Sequence, residues 1–428
     1  MKTFIIRNSK LISVFFIFYW ILLFASINTT PNAIHLFNEG YAQSINATRI
    51  LSALLTSILI FFYFLYLSFS EKIKLKKIEI FFFLFFTTQI IGLYFNRERS
   101  FDINNLYLVI LAIGCICLFA VCNHKKNNYI FKYFIFVSIL FLIFALIFVF
   151  VGKYHQLINL NFYEIFSEHD NNLLGQANPR ITGISRMLAI INLFLILFFL
   201  KLKNFYFKLF LLFFLLLFTI LLFFMQSRGT LVCYFFSIVF IVFFFTNNKL
   251  KYFFILALLP IMFYFFFNHF FLNSKNLADK HTQINNRILT TTTSGRYEIW
   301  SYTIKNYKYK KVFGYGPNGD RFFLKNFDKK KRYGNNISNI WLYALVSGGV
   351  ISIFFLVLIF FEIIKILAYI KKINYKNCIY LNFSSVCLVF FLVRSIFENS
   401  FGLFSIDFLI TYLSLSYIIT STQKLQNS

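Results

Sequence analysis

Apolar residues in this chain fall into long runs, where half-buried strands would alternate and surface helices would repeat every three or four residues. Segments such as "FYFKLFLLFFLLLFTILLFFM" (205–225) and "LVCYFFSIVFIVFFF" (231–245) are almost unbroken runs of apolar residues. A run of about 17 to 25 such residues crosses roughly 30 Å of hydrocarbon as a helix. The pattern predicts spans at 11–28, 48–69, 78–95, 106–122, 130–151, 187–200, 206–225, 229–246, 252–272, 339–364, 378–396 and 401–420, twelve in all. Most connectors are short, but 152–186 and 273–338 are long, and only the second is large enough to build structure outside a bilayer. The chain therefore divides into nine spans over 1–272, a large loop over 273–338, and three spans with a tail over 339–428.

Composition turns this pattern into a fold class. Of 428 residues, 59% are hydrophobic, 22% aromatic and 13% charged, with four prolines, which excludes a soluble globular domain. The expectation is an all-α polytopic membrane protein of about twelve transmembrane helices. The formal charge of +27 would suggest nucleic acid in a soluble protein. Here the basic residues sit mostly in connectors, so no nucleic-acid partner is expected and only their distribution is informative. Lys2, Arg7 and Lys10 open the chain, and every second connector repeats the bias: "EKIKLKK", "NHKKNN", "KLKNFYFK", "NNKLK" and "AYIKKINYK". The positive-inside rule puts both termini in the cytoplasm and the lysine-poor connectors on the outer face. The large loop carries fourteen Lys or Arg against four Asp or Glu, but loops of that length are exempt from the rule. The basic flank and apolar core at the N-terminus read as an uncleaved first span. Cys115, Cys117, Cys122, Cys233, Cys378 and Cys387 lie within or beside apolar runs, with no disulfide or metal-ligand spacing.

Candidate chemistry gathers at the outer ends of three spans. "QSRGT" puts Arg228 at the start of the eighth, and "NPRITGISR" brings Arg180 and Arg186 to the sixth with Ser185 as a candidate N-cap. "NNISN" brings Ser338 and Asn339 to the tenth. Helix N-termini present unsatisfied N–H groups and favour negative charge, and guanidinium groups grip phosphate oxygens in pairs. An anion site on the outer face follows; interfacial snorkelling is the plainer role for any single arginine. In the large loop, "SGRYEIW" carries Arg296 and Glu298 and reads as a helix on the membrane surface anchored by Tyr297, Trp300 and Tyr302. "FGYGPNGD" is a turn whose Gly314 and Gly316 permit positive φ or close backbone approach.

"PRITGISR", "QSRGT", "SGRYEIW" followed by "FGYGPNG", and "SNIWLYALVSGGV" together resemble the O-antigen ligase and O-antigen polymerase superfamily of bacterial envelopes, in order and spacing over about residues 175–365. The resemblance implies glycosyl transfer at the periplasmic face of a bacterial inner membrane, with no metal and no cofactor. A glycan linked through diphosphate to undecaprenol is the donor and the hydroxyl of another sugar the acceptor. It implies a diphosphate grip by Arg228 and Arg296, with Arg180 and Arg186 alongside, and an acceptor region around Ser338, Asn339, Gly314 and Gly316. Membrane lipids and a chain-length regulator are the implied partners. Ligases of the family carry histidine where this chain has Ser338, and a serine hydroxyl is a poor general base. That departure favours a polymerase over a ligase and leaves Glu298, His281 and Asp320 as candidates for the base. A lipid-linked sugar flippase is the rival class. It would show repeated halves and charge deep within spans; no repeat is visible, and Arg394 is the main mid-span charge.

Overall fold

The computed structural model describes residues 39–70, 76–96, 103–122, 129–152, 181–225, 227–245, 296–307, 312–324, 336–373, 378–403 and 406–426. Twelve helices and no strand occur among them: α1 (Glu39–Ser70), α2 (Lys77–Phe95), α3 (Ile103–Cys122), α4 (Tyr129–Gly152), α5 (Ile181–Lys201), α6 (Phe205–Phe224), α7 (Arg228–Phe245), α8 (Arg296–Asn306), α9 (Gly319–Phe323), α10 (Ile340–Ile373), α11 (Ile379–Phe397) and α12 (Ile406–Gln426). Ten of the twelve expected spans fall on these helices; those at 11–28 and 252–272 lie outside the described residues. Five helical stretches are long and apolar enough to cross a membrane: Lys77–Phe95, Gly183–Lys201, Phe205–Phe224, Ile340–Lys371 and Ile379–Phe397. Shorter apolar stretches lie at Ala53–Phe69, Asn105–Leu118 and Gly229–Phe245. The count of twelve crossings is thus an expectation, while the all-helical, multi-pass character stands.

The ends of these helices follow from their polar residues. Glu79 turns its Oε2 back to accept the Lys76 N–H at 2.8 Å, opening α2. Asn204 Oδ1 accepts from Tyr206 N and Phe207 N at 3.0 and 3.4 Å, opening α6. Each satisfies donors that the first turn would otherwise leave unpaired.

At the centre lies α11, from Leu381 to Phe391 almost wholly buried, packed against α5, α7, α10 and α12. Beside it, Phe82 and Phe86 of α2 meet Phe401, Phe408 and Tyr412, with ring centroids 4.1 to 6.4 Å apart. Helix α6 lies outermost: Phe210, Phe213, Leu216 and Ile220 are all more than two-fifths exposed. A stripe of that size would be untenable in water and is ordinary against lipid.

Helix α10 is not one straight rod. Gly349 sits at φ 74°, ψ −167° inside it, and the Trp341 ring lies 5.0 Å from that of Phe360. Nineteen residues of straight helix would separate them by about 28 Å, so residues 340–348 bend back towards the arm that follows. The expected span at 339–364 is corrected accordingly: the long arm starts after Gly349, and 340–348 is a short half-helix beside it. The cause is a wedge. The backbone of 312–316 packs into the bend, with Tyr315 N donating to Val346 O at 2.7 Å and Gly316 N to Ser347 O at 2.9 Å. These bonds satisfy carbonyls that the bend removes from the helical ladder, as buried irregular backbone requires.

Lysine and arginine separate along the bundle. Lys76 and Lys365 share a cavity with Ile419 and Thr422, Lys132 lies over the Tyr380 ring, and Lys371 over Phe244. Arg186, Arg296 and Arg394 lie towards the other end.

Candidate functional site

Among the described residues, the starts of α5, α7, α8, α10 and α12 and the ends of α6 and α11 lie at the arginine end. Ser185, in the first turns of α5, lies 3.4 Å from Thr230 of α7 through their hydroxyls. Thr230 in turn lies 2.8 Å from Ser227, whose carbonyl takes the first backbone bond of α7. Arg228 is therefore the first helical residue of α7, one turn from the start of α5; its side chain lies outside the described residues, as do Arg180 and His281. Ser185 is not the N-cap of α5: the helix already includes Ile181, four residues earlier, and the Ser185 hydroxyl joins α5 to α7 instead.

Arg186 donates from Nη1 to Asp407 Oδ1 at 2.5 Å. Arg394, in the last turn of α11, donates from Nε to Asp407 Oδ2 at 2.8 Å, and Ser400 Oγ donates to the same oxygen at 3.3 Å. Asp407, in the first turn of α12, thus holds two guanidinium groups, and both it and Arg394 are only 5% exposed. On the rim, Arg296 at the start of α8 donates from Nη2 to Glu398 Oε1 at 2.6 Å. In these pairs three arginines share two carboxylates, with Glu298 beside Arg296 in the first turn of α8, and Arg186 Nε is buried without a partner. Charge buried in an apolar bundle is costly unless paired, and where it persists it marks function.

The short half-helix of α10 completes the arrangement. Asn339 Oδ1 accepts from Trp341 N and Leu342 N at 2.9 and 3.1 Å, while its Nδ2 donates to Ile396 O at 3.1 Å. One side chain therefore caps the start of α10 and ties it to the end of α11, two residues beyond Arg394. Ser338 precedes it, half-buried. Broken helices whose N-termini point into a bundle are a recurrent way to meet an anion within a membrane.

The loop residues divide into two roles. Ile299, Tyr307, Tyr315, Leu324, Ile337 and Val346 form a second small core, with Trp300 and Tyr302 packed against it. These two half-buried rings pack on the small core, a role beyond the expected lipid anchoring; the Tyr297 side chain lies outside the described residues. Gly314 and Gly316 adopt φ 65° and 92° and lie in the wedge, where they shape the bend. Asp320 is 3% exposed and accepts from Ile337 N at 3.2 Å. Burial pushes its carboxyl up to about 6, against the pull of the Ile337 N–H and Arg321. It clamps the loop to the strandless segment before α10. Glu298 shares the first turn of α8 with Arg296, and its Oε2 is buried without a partner.

Glu398 and Asp407 are the residues that sequence reasoning missed, and Arg394 was noted without a partner. The signal was present in "RSIFENSFGLFSID" (394–407): one base and two acids inside 14 residues between two apolar runs, all needing partners.

Against protein-family models, residues 211–357 match the family described as O-Antigen ligase. The match bears out the superfamily read from the motifs. It takes in Arg228, Arg296, Glu298, Gly314, Gly316, Ser338 and Asn339, and stops short of Arg394 and Asp407. No curated protein and no solved structure matches the chain.

Proposed function

From the O-antigen ligase superfamily as premise, we propose that this multi-pass membrane chain is a glycosyltransferase that polymerises O-antigen or capsule repeat units carried on undecaprenyl diphosphate. The observation that carries the reading is the convergence of helix N-termini and arginines at the end of the bundle away from the lysines. By the positive-inside rule the lysine end is cytoplasmic and the arginine end periplasmic, where the lipid-linked donor would arrive.

In the reaction, the bond between the anomeric carbon and the diphosphate oxygen breaks as the acceptor hydroxyl bonds to that carbon and gives up its proton. Negative charge grows on the departing diphosphate. Arg228 and Arg296 are assigned to hold it, with Arg180 and Arg186 beside them, because fixed donors aimed at developing charge lower the barrier without reorganising. Arg186 and Arg296 keep their guanidinium groups aligned through Asp407 and Glu398 until the diphosphate competes for them. Glu298 is assigned the acceptor proton: its unpartnered Oε2 contrasts with Asp320, whose carboxylate is buried and occupied by Ile337. Serine at 338 in place of the ligase histidine favours chain extension over transfer to lipid A core.

Deleting the gene tests the reaction. Surface polysaccharide reduced to at most one repeat unit supports polymerisation; bare core with long polymer accumulating on undecaprenyl diphosphate would make the protein a ligase. Cysteine at Thr292 should react with an impermeant thiol reagent in intact spheroplasts and one at Asn374 should not; the reverse result would invert the orientation.

A further inference from the structure

At the opposite end of the bundle, a cavity of about 350 Å³ opens between α2, α10 and α12, lined by Lys76, Lys365, Ile366, Tyr369, Ile419 and Thr422. We propose that it binds an anionic phospholipid of the cytoplasmic leaflet, with the phosphate between Lys76 and Lys365 and an acyl chain along Ile366 and Ile419. The inference rests on the orientation argued above and is independent of the transfer reaction.

Lys76, at the N-cap of α2, and Lys365 of α10 face one apolar groove. Lys76 is half-buried, and its side chain makes no cap hydrogen bond. Burial lowers its pKa, with the charge of Glu79 opposing the shift, so the ammonium lacks water and gains from a phosphate oxygen. Among the described residues, the nearby carboxylates are engaged. Glu79 is 5% exposed with Oε2 on the Lys76 N–H, and Glu362 pairs with Lys365 at 2.9 Å in an i,i+3 contact. Lys365 is 54% exposed, and an open pair of that kind is weak enough to yield to a phosphate. Lys365 Nζ also lies 4.2 Å over the Phe361 ring, itself 53% exposed. The cationic lip is thus continuous with the lipid-facing surface of α10, and a headgroup held there leaves its chains on that surface. Basic pockets between helices on the cytoplasmic side take anionic headgroups for this reason.

The test uses the full chain in detergent, with phosphatidylglycerol or phosphatidylcholine added and retained lipid counted by native mass spectrometry. Phosphatidylglycerol should be retained and phosphatidylcholine lost. The double substitution Lys76→Gln/Lys365→Gln should weaken retention about thirtyfold, and Lys132→Gln, at the same end but outside the cavity, should leave it unchanged. Ile419→Trp, which fills the groove and keeps both lysines, should lose retention too and serves if the double variant does not fold. Equal retention of both lipids, or undiminished retention in either groove variant, overturns the proposal. So does displacement of phosphatidylglycerol by an equal concentration of inorganic phosphate, which would make the site one for the free ion.

Discussion

Asp407→Ala should be the most destabilising single change at the arginine end. The carboxylate bonds Arg186 and Arg394 at 2.5 and 2.8 Å, and the side chains of those arginines are only 15% and 5% exposed. With Asp407 the three groups sum to one positive charge. Without it, two guanidinium groups face each other unpaired in an apolar bundle. Losing one partner of a buried pair costs about 3 to 5 kcal/mol, mostly because the other charge is stranded. Arg394→Met should cost less, below about 2 kcal/mol, since it leaves a balanced Arg186–Asp407 pair and fills the space with an apolar chain. Thermal stability in detergent, followed by fluorescence-detected size exclusion, ranks the two. If Asp407→Ala melts with the parent protein, or above Arg394→Met, the carboxylate does not hold this cluster together.

Gly349→Ala should abolish detergent-stable protein. Its backbone is in a region open essentially to glycine alone, and an added Cβ would lie 2.0 Å from Val312 O; Gly229→Ala, with nothing within 4 Å, should be tolerated. For Asp320, a folded carboxyl near 6 against an ordinary value of 3.8 means that the native state binds its proton more tightly. Its stability is therefore greatest below about pH 4 and is lost as pH rises through 6, by about 3 kcal/mol in all. Asp320→Asn keeps an acceptor for Ile337 N and cannot ionise, so its melting advantage should grow by about 2 kcal/mol between pH 4.5 and 7.5; a constant gap would refute the shift.

The helical class and ten of the predicted spans were legible because lipid-facing and core-facing surfaces are both apolar, which makes each run unmistakable. The same uniformity hid what lies between the runs. An apolar stretch of constant character carries no mark of a reversal, so the bend at Gly349 inside "LVSGGVISIFF" could be seen only once the 312–316 wedge was placed against it. Arg186, Arg228 and Arg296 were legible as candidates because arginine departs from the lysine pattern. Asp407 was not, since a lone acid at the edge of a span gains meaning only from partners 221 and 13 residues away. The packing of Trp300 and Tyr302 on the small loop core was not legible because interfacial anchoring and such packing demand the same amphipathic rings.

The central claim is that Arg228, at the start of α7, grips the donor diphosphate during transfer. The direct measurement is polymer length formed from undecaprenyl-diphosphate-linked repeat units in proteoliposomes carrying parent, Arg228→Lys or Arg228→Ala protein at equal abundance. Lysine keeps the charge and loses the planar fork, so the account predicts partial activity for Arg228→Lys. For Arg228→Ala it predicts a loss of about a hundredfold or more, the worth of one such donor in the transition state. Full activity in both variants would contradict it and leave Arg228 an interfacial residue at a turn.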